Sequence, residues 1–200
     1  MRHLIGLGVL SACLIGITAT AQDPVPTPAT SNPYFPLKTG SKWTYKVQGG
    51  PVEVTVMGTE KVKEITAYKL ETKAGGKISA SEVVGVTADG VVRFNVNGLT
   101  PESPILFLPT DPVAKKEWEI NTKASGQVIK GTFKAGKEKV TIGTATYDDV
   151  IYVKGADMQV GGASTTIEYW FAKNVGIIKL RFTLGTQDAT LELEKYEPGK

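Results

Sequence analysis

Residues 164–184 read STTIEYWFAKNVGIIKLRFTL, and the class of fold is legible in them. Two apolar runs, 167–171 and 175–182, flank Ala172-Lys173-Asn174. Short runs of isoleucine, valine and aromatics around an Asn-containing break predict a β-hairpin and not a helix. Ile167, Tyr169 and Phe171 share one phase; Ile178, Leu180 and Phe182 share another, with Lys179, Arg181 and Thr183 between them. That is the alternation of a sheet with one buried side.

Outward from this hairpin the pattern repeats. Trp43, Tyr45 and Val47 alternate with Lys42, Thr44 and Lys46, and Val52, Val54 and Val56 alternate with Glu53 and Thr55. Strands are expected at 42–48, 52–58, 61–73, 77–87, about 92–96, 117–121, 127–134, 138–146, 150–155, 165–172, 175–184 and 189–196. Gly49-Gly50-Pro51, Gly58, Gly75-Gly76, Asp89-Gly90, Asn97-Gly98, Gly136, Asp148-Asp149 and Gly161-Gly162 supply the expected breaks. Val92, Phe94 and Val96 are expected to form one apolar face. Residues 105–108 lie between Pro101/Pro104 and Pro109/Pro112, which suits a plug, a lid or an edge strand. No window repeats at helical spacing. The fold class is therefore all-β: one domain of about twelve mostly antiparallel strands in a strongly curved sheet or open barrel, with a β-sandwich as the alternative.

At 200 residues and 41% apolar content the chain suits one domain. Residues 1–21 read as a secretory signal peptide: basic Arg2, an apolar run over 4–17, and Ala19-Thr20-Ala21 before a cut between Ala21 and Gln22. Leu10-Ser11-Ala12-Cys13 offers a competing lipidation site, which would anchor the protein to a membrane through Cys13. Residues 22–32, rich in Pro, Thr and Ala, form a tether, and 33–200 form the β-domain. The expected location is secreted or periplasmic, with no transmembrane span in the mature chain.

Processing removes Arg2 and leaves 22 basic and 20 acidic residues, a net charge of +2. That is too little, and too dispersed, for nucleic acid. It also removes His3 and Cys13, the sole histidine and cysteine. The mature chain then has no imidazole or thiolate for triad catalysis, no ordinary zinc ligands and no disulfide. No cofactor or metal is expected, and the turn residues Asp111, Asp148 and Asp149 lack a calcium-loop pattern.

Candidate contacts follow from phase. Glu82 falls between Ala80 and Val84 in an apolar phase, where it would face inward; a bulge at Ser81, or pairing with a lysine, is the plainer reading. Trp170 shares a phase with Glu168, which could make an exposed stacking platform, although partial cover of both faces is the plainer reading. Carboxylate pairs, such as Glu82 with Glu168, are the acid/base option left for a glycosidase. Trp118, Ile105 and Phe107 complete the candidate ligand contacts.

Tyr34-Phe35-Pro36-Leu37 with Gly40 and Trp43-Thr44-Tyr45, Gly143-Thr144-Ala145-Thr146-Tyr147 with Asp149-Val150, and Tyr169-Trp170-Phe171-Ala172 with Val175-Gly176-Ile177-Ile178-Lys179 occur in order along the chain. Together they resemble a loose group of uncharacterised bacterial secreted or envelope β-proteins, many of them lipoproteins. The architecture is similar to the open half-barrels of periplasmic lipoprotein carriers, minus an evident helix over the concave face. The resemblance implies fold and location, and no activity. The expected function is non-catalytic: a monomeric envelope protein whose concave sheet receives an apolar or amphipathic ligand. The alternative is an assembly module for an envelope protein partner, with a carboxylate-dependent glycosidase third.

Overall fold

The computed structural model describes residues 31–185 and 187–200. The signal-peptide and lipidation sites, and most of the tether, lie outside the described residues. Twelve antiparallel strands form one nearly closed, barrel-shaped sheet. They are β1 (Lys42–Lys46), β2 (Val52–Val62), β3 (Ile65–Ala74), β4 (Lys77–Val86), β5 (Gly90–Val96), β6 (Ile105–Pro109), β7 (Glu117–Ala124), β8 (Gln127–Ile142), β9 (Ala145–Val160), β10 (Ala163–Ala172), β11 (Gly176–Leu184) and β12 (Gln187–Glu197). Among the described residues no helix is long and apolar enough to cross a membrane.

The order β6-β5-β4-β3-β2-β1-β12-β11-β10-β9-β8-β7 describes two six-strand meanders joined where β1 pairs with β12. The first and last strands therefore meet inside the sheet, and its two edges, β6 and β7, are consecutive in sequence. No ladder joins these edges. Instead the Trp118 indole Nε1 donates to the Leu106 carbonyl at 2.9 Å across the seam. One end of β7 is further covered by the segment before β6: Glu102 N donates to Lys123 O at 2.8 Å, and Ser103 N to Thr122 Oγ1 at 2.9 Å. Closure by side chains and loop backbone caps exposed strand edges, which otherwise template aggregation.

Alternation follows the pleat, and the inward phase carries the core. Trp43, Tyr45, Val56, Leu70, Val84, Val91, Ile120, Phe133, Val153, Tyr169 and Phe171 make one continuous interior. At the end where the chain enters, Phe35 closes the barrel. Its ring packs edge-on to Phe107 (5.4 Å) and Phe171 (6.3 Å) and lies parallel to Trp43. Trp43 Nε1 and Tyr45 Oη then donate to the carbonyls of Val175 and Ile177 at 2.6 and 2.9 Å, tying β1 to the β10–β11 hairpin. Tyr34 Oη donates to Asp149 at 2.9 Å. A smaller cluster of Ile142, Val150, Ala172 and Ile178, with Trp170 and Tyr147 against it, lies on the other face.

Several expected breaks are interior to strands. Gly58 does not end β2; a register shift between Val56 and Gly58 carries the strand on to Val62, and the chain turns at Lys63, whose φ is +54°. Gly136 and Asp148-Asp149 are likewise continuous strand, so the three strands expected over 127–155 are the long hairpin β8–β9. A bulge opposite Trp170/Phe171 puts Ile177 in the main interior and Ile178 in the outer cluster, out of the phase of Leu180. Residues 105–108 are an edge strand, not a lid or plug. At Val56/Gly58, at Asp148-Asp149 and at Ile178 extra residues reset the register without ending the pairing, whereas Gly136 sits in an unbroken ladder opposite Tyr152.

Candidate functional site

The interior is not filled throughout. A chamber of about 380 Å³ lies on the side away from Phe35, and a smaller one of about 130 Å³ lies against it. Ile105, Ile120, Ile129, Phe133, Met158 and Ile167 give the larger chamber an apolar wall. Its lining also includes the solvent-exposed Asn97, Leu99, Gln127 and Val160, from the β5–β6 loop and strand ends at one rim of the barrel. The chamber therefore opens at that rim. The smaller chamber ends on Phe35, Trp43 and Tyr45.

Four residues line both chambers: Glu82, Arg93, Tyr169 and Leu180. They form the partition and hold the charged groups of the lumen. Arg93 Nε donates to Glu82 Oε1 at 3.0 Å, with side-chain exposures of only 14% and 27%. The guanidinium carbon sits 4.0 Å from the Phe107 ring centroid and 5.6 Å from that of Tyr169. Burial works against the Arg93 charge, but the Glu82 carboxylate and Tyr169 beside it more than offset this and hold the arginine protonated. Burial pushes the Tyr169 hydroxyl up, so it is a neutral phenol at physiological pH.

The backbone explains how a charged pair comes to lie inside. On β4, Glu82 opposes Leu70 of β3 and Val96 of β5, both of which face inward. No bulge at Ser81 turns it out, and its partner is arginine, not lysine. On β5 the register shifts opposite Val83/Val84, so Val84 pairs with Arg93 and Phe94 is the extra residue. The inward positions are Val91, Arg93 and Val96, and the expected face of Val92, Phe94 and Val96 is corrected accordingly. Phe94 instead packs over Gly85, where a Cβ would come within 2.7 Å of its ring. Arg93 was not among the sequence candidates. The signal for it was Glu82 itself, since a carboxylate in an inward phase requires a cation on a facing strand.

The other candidates separate. Ile105 lines the larger chamber, and Phe107 is fully buried beneath Arg93. Trp118 is buried at the seam, stacked on Phe133 at 5.5 Å, and is not a lining residue. Trp170 and Glu168 are on the outer face. Trp170 lies against Tyr152 with ring centroids 5.0 Å apart and donates to Glu138, while Glu168 accepts from Tyr152 and faces Lys154 at 3.5 Å. Glu82 and Glu168 thus lie on opposite faces of the wall and cannot flank one glycosidic bond. Asp111 Oδ1 accepts from its own turn, from Val113 N and Ala114 N at 3.0 and 2.9 Å, and Asp148 and Asp149 pair with Lys139 and Lys137.

No family model matches the chain, and no curated protein does. Two solved structures are similar. One, from Bacteroides fragilis, is described as an exported protein with a YmcC-like fold; it shares 12% identity at a TM-score of 0.44, over 84% of this chain and 100% of that one. The other, from Parabacteroides distasonis, is described as a lipoprotein; it shares 13% identity at a TM-score of 0.45, over 83% of this chain and 99% of that one.

Proposed function

We propose that the protein is a non-catalytic, exported or envelope-attached β-barrel that binds one elongated apolar or amphipathic molecule in its lumen. One observation carries this reading: an apolar chamber of about 380 Å³ opens at one rim, with a charged pair at its floor. That volume falls within the usual range of small-molecule pockets, as does the mixture of apolar wall and a few convergent polar groups. At roughly 30 Å³ per water it has room for about a dozen, most of them facing side chains with which they cannot bond. Their release on ligand entry favours binding. The export part of the reading rests on the residue 1–21 pattern.

The reading as an assembly module uses the same rim, where Leu99 and Val160 are exposed. The lumen reading is preferred because a flat partner surface would cover the rim and leave the chamber behind it unused. Native mass spectrometry of protein purified without detergent, followed by organic extraction, tests this. A reproducible bound mass in the lipid range that is lost on extraction is expected. An apo monomer that binds no lipophilic probe overturns it.

A further inference from the structure

We infer that the Glu82–Arg93 pair makes the lumen selective for uncharged, hydroxyl-bearing amphiphiles over carboxylate-bearing ones of the same chain length. This deepens the luminal-binding reading and rests on it. The pair closes through Nε of Arg93 and one oxygen of Glu82, at 3.0 Å. That geometry leaves the terminal Nη groups uncommitted to Glu82, and it leaves Oε2 uncommitted to Arg93. Both side chains line the chamber floor. A ligand therefore meets a donor and an acceptor side by side, with their charges already cancelled. The guanidinium is held from a third direction by Phe107, which lies 4.0 Å from Cζ.

A hydroxyl group is complementary to this floor, because it donates to a carboxylate oxygen and accepts from a guanidinium N–H at once. Neutral Tyr169 beside the pair can join the same network. A carboxylate head could accept from Arg93, but it would bring a second negative charge against Glu82 inside an apolar chamber. Like charges oppose one another more strongly in such partly buried surroundings than in bulk water. A lone buried arginine would have selected an anion; the resident glutamate removes that selection. Glu82 is thus a specificity-determining residue.

The test is displacement of a neutral lipophilic fluorescent probe, N-phenyl-1-naphthylamine, by 1-dodecanol and by dodecanoate at a pH well above the carboxyl pKa. Wild-type protein is expected to favour the alcohol by at least about tenfold. Glu82→Gln keeps the shape while removing the opposing charge, and should shift the alcohol-to-carboxylate affinity ratio at least about tenfold towards dodecanoate. Equal or tighter binding of dodecanoate by wild type overturns the inference and leaves luminal binding standing, as does an unchanged ratio in a folded Glu82→Gln variant. A probe that does not bind at all overturns both. The wild-type comparison needs no variant to fold.

Discussion

Trp118→Phe tests how the barrel is closed. The two edge strands share no ladder, so the indole N–H to Leu106 carbonyl bond at 2.9 Å is a principal link across the seam. Phenylalanine retains an aromatic ring against Phe133 but loses the donor. A hydrogen bond of this kind contributes about 1 kcal/mol, and an acceptor left in partly buried surroundings adds about 1 kcal/mol more. Loss of part of the buried ring adds roughly another 0.5–1 kcal/mol. The sum is about 2.5–3 kcal/mol. With a urea m-value of about 2 kcal/mol/M, the unfolding midpoint should fall by about 1.2–1.5 M. Amide exchange should accelerate most in β6, whose other neighbour is β5 alone, and least at the β1–β12 junction. A midpoint within a few tenths of a molar of wild type, with β6 protection unchanged, would refute the reasoning.

Other expectations follow from the same packing. Phe35→Ala removes the ring that closes one barrel end against Trp43, Phe107 and Phe171, and should cost about 3–5 kcal/mol by urea denaturation. Gly90 has φ +141°, and a Cβ there would sit 2.2 Å from the Leu108 carbonyl oxygen, so Gly90→Ala should destabilise by about 3 kcal/mol or more and loosen β5–β6 in amide exchange. Tyr34, Tyr45, Tyr152 and Tyr169 are all raised above the ordinary phenol value of 10.0, chiefly by burial. Their neutral forms favour the fold, so this stability is complete below that value and is lost as pH rises through the folded values; ultraviolet titration should show these four tyrosines ionising late. Lys137 and then Tyr34 hold the Asp149 carboxyl below its ordinary 3.8, so its contribution is present above that pH and lost as pH falls through the lower folded value. Asp149→Asn should flatten that acid limb in a pH series of unfolding midpoints.

Much of the architecture could be read from alternation. Trp43/Tyr45, Val52/Val54/Val56 and Ile167/Tyr169/Phe171 each mark a strand, and turns at Gly75-Gly76, Asp89-Gly90 and Gly161-Gly162 fall where expected. What sequence reasoning misplaced came from bulges. Gly58, Phe94 and Ile178 each sit at a register shift that resets the phase, and a bulge depends on the partner strand, which local patterning does not contain. The long β8–β9 hairpin reads as three strands for a related reason: Gly136 and Asp148-Asp149 are ordinary turn formers, but Gly136 pairs with Tyr152, and Tyr147 and Val150 pair on either side of the two aspartates. Of the site, Glu82 was visible because its phase is inward, and Ile105 because it begins an apolar run between proline-rich loops. Arg93 was hidden because the bulge at Phe94 exchanged the two faces of β5. The seam was hidden too, since the bond from Trp118 to Leu106 joins edges that the strand pattern alone leaves open.

The central claim is that the lumen is a binding site. It is tested most directly by titrating N-phenyl-1-naphthylamine into wild-type protein and into Ile167→Trp, which fills the larger chamber from its wall. Wild type should bind one probe saturably. The variant, with an unchanged circular dichroism spectrum and a cooperative unfolding transition, should bind at least about tenfold more weakly. Trp170→Phe, on the outer face, should leave binding unchanged. Undiminished binding by a folded Ile167→Trp, or binding lost on removal of the Trp170 indole, would contradict the account.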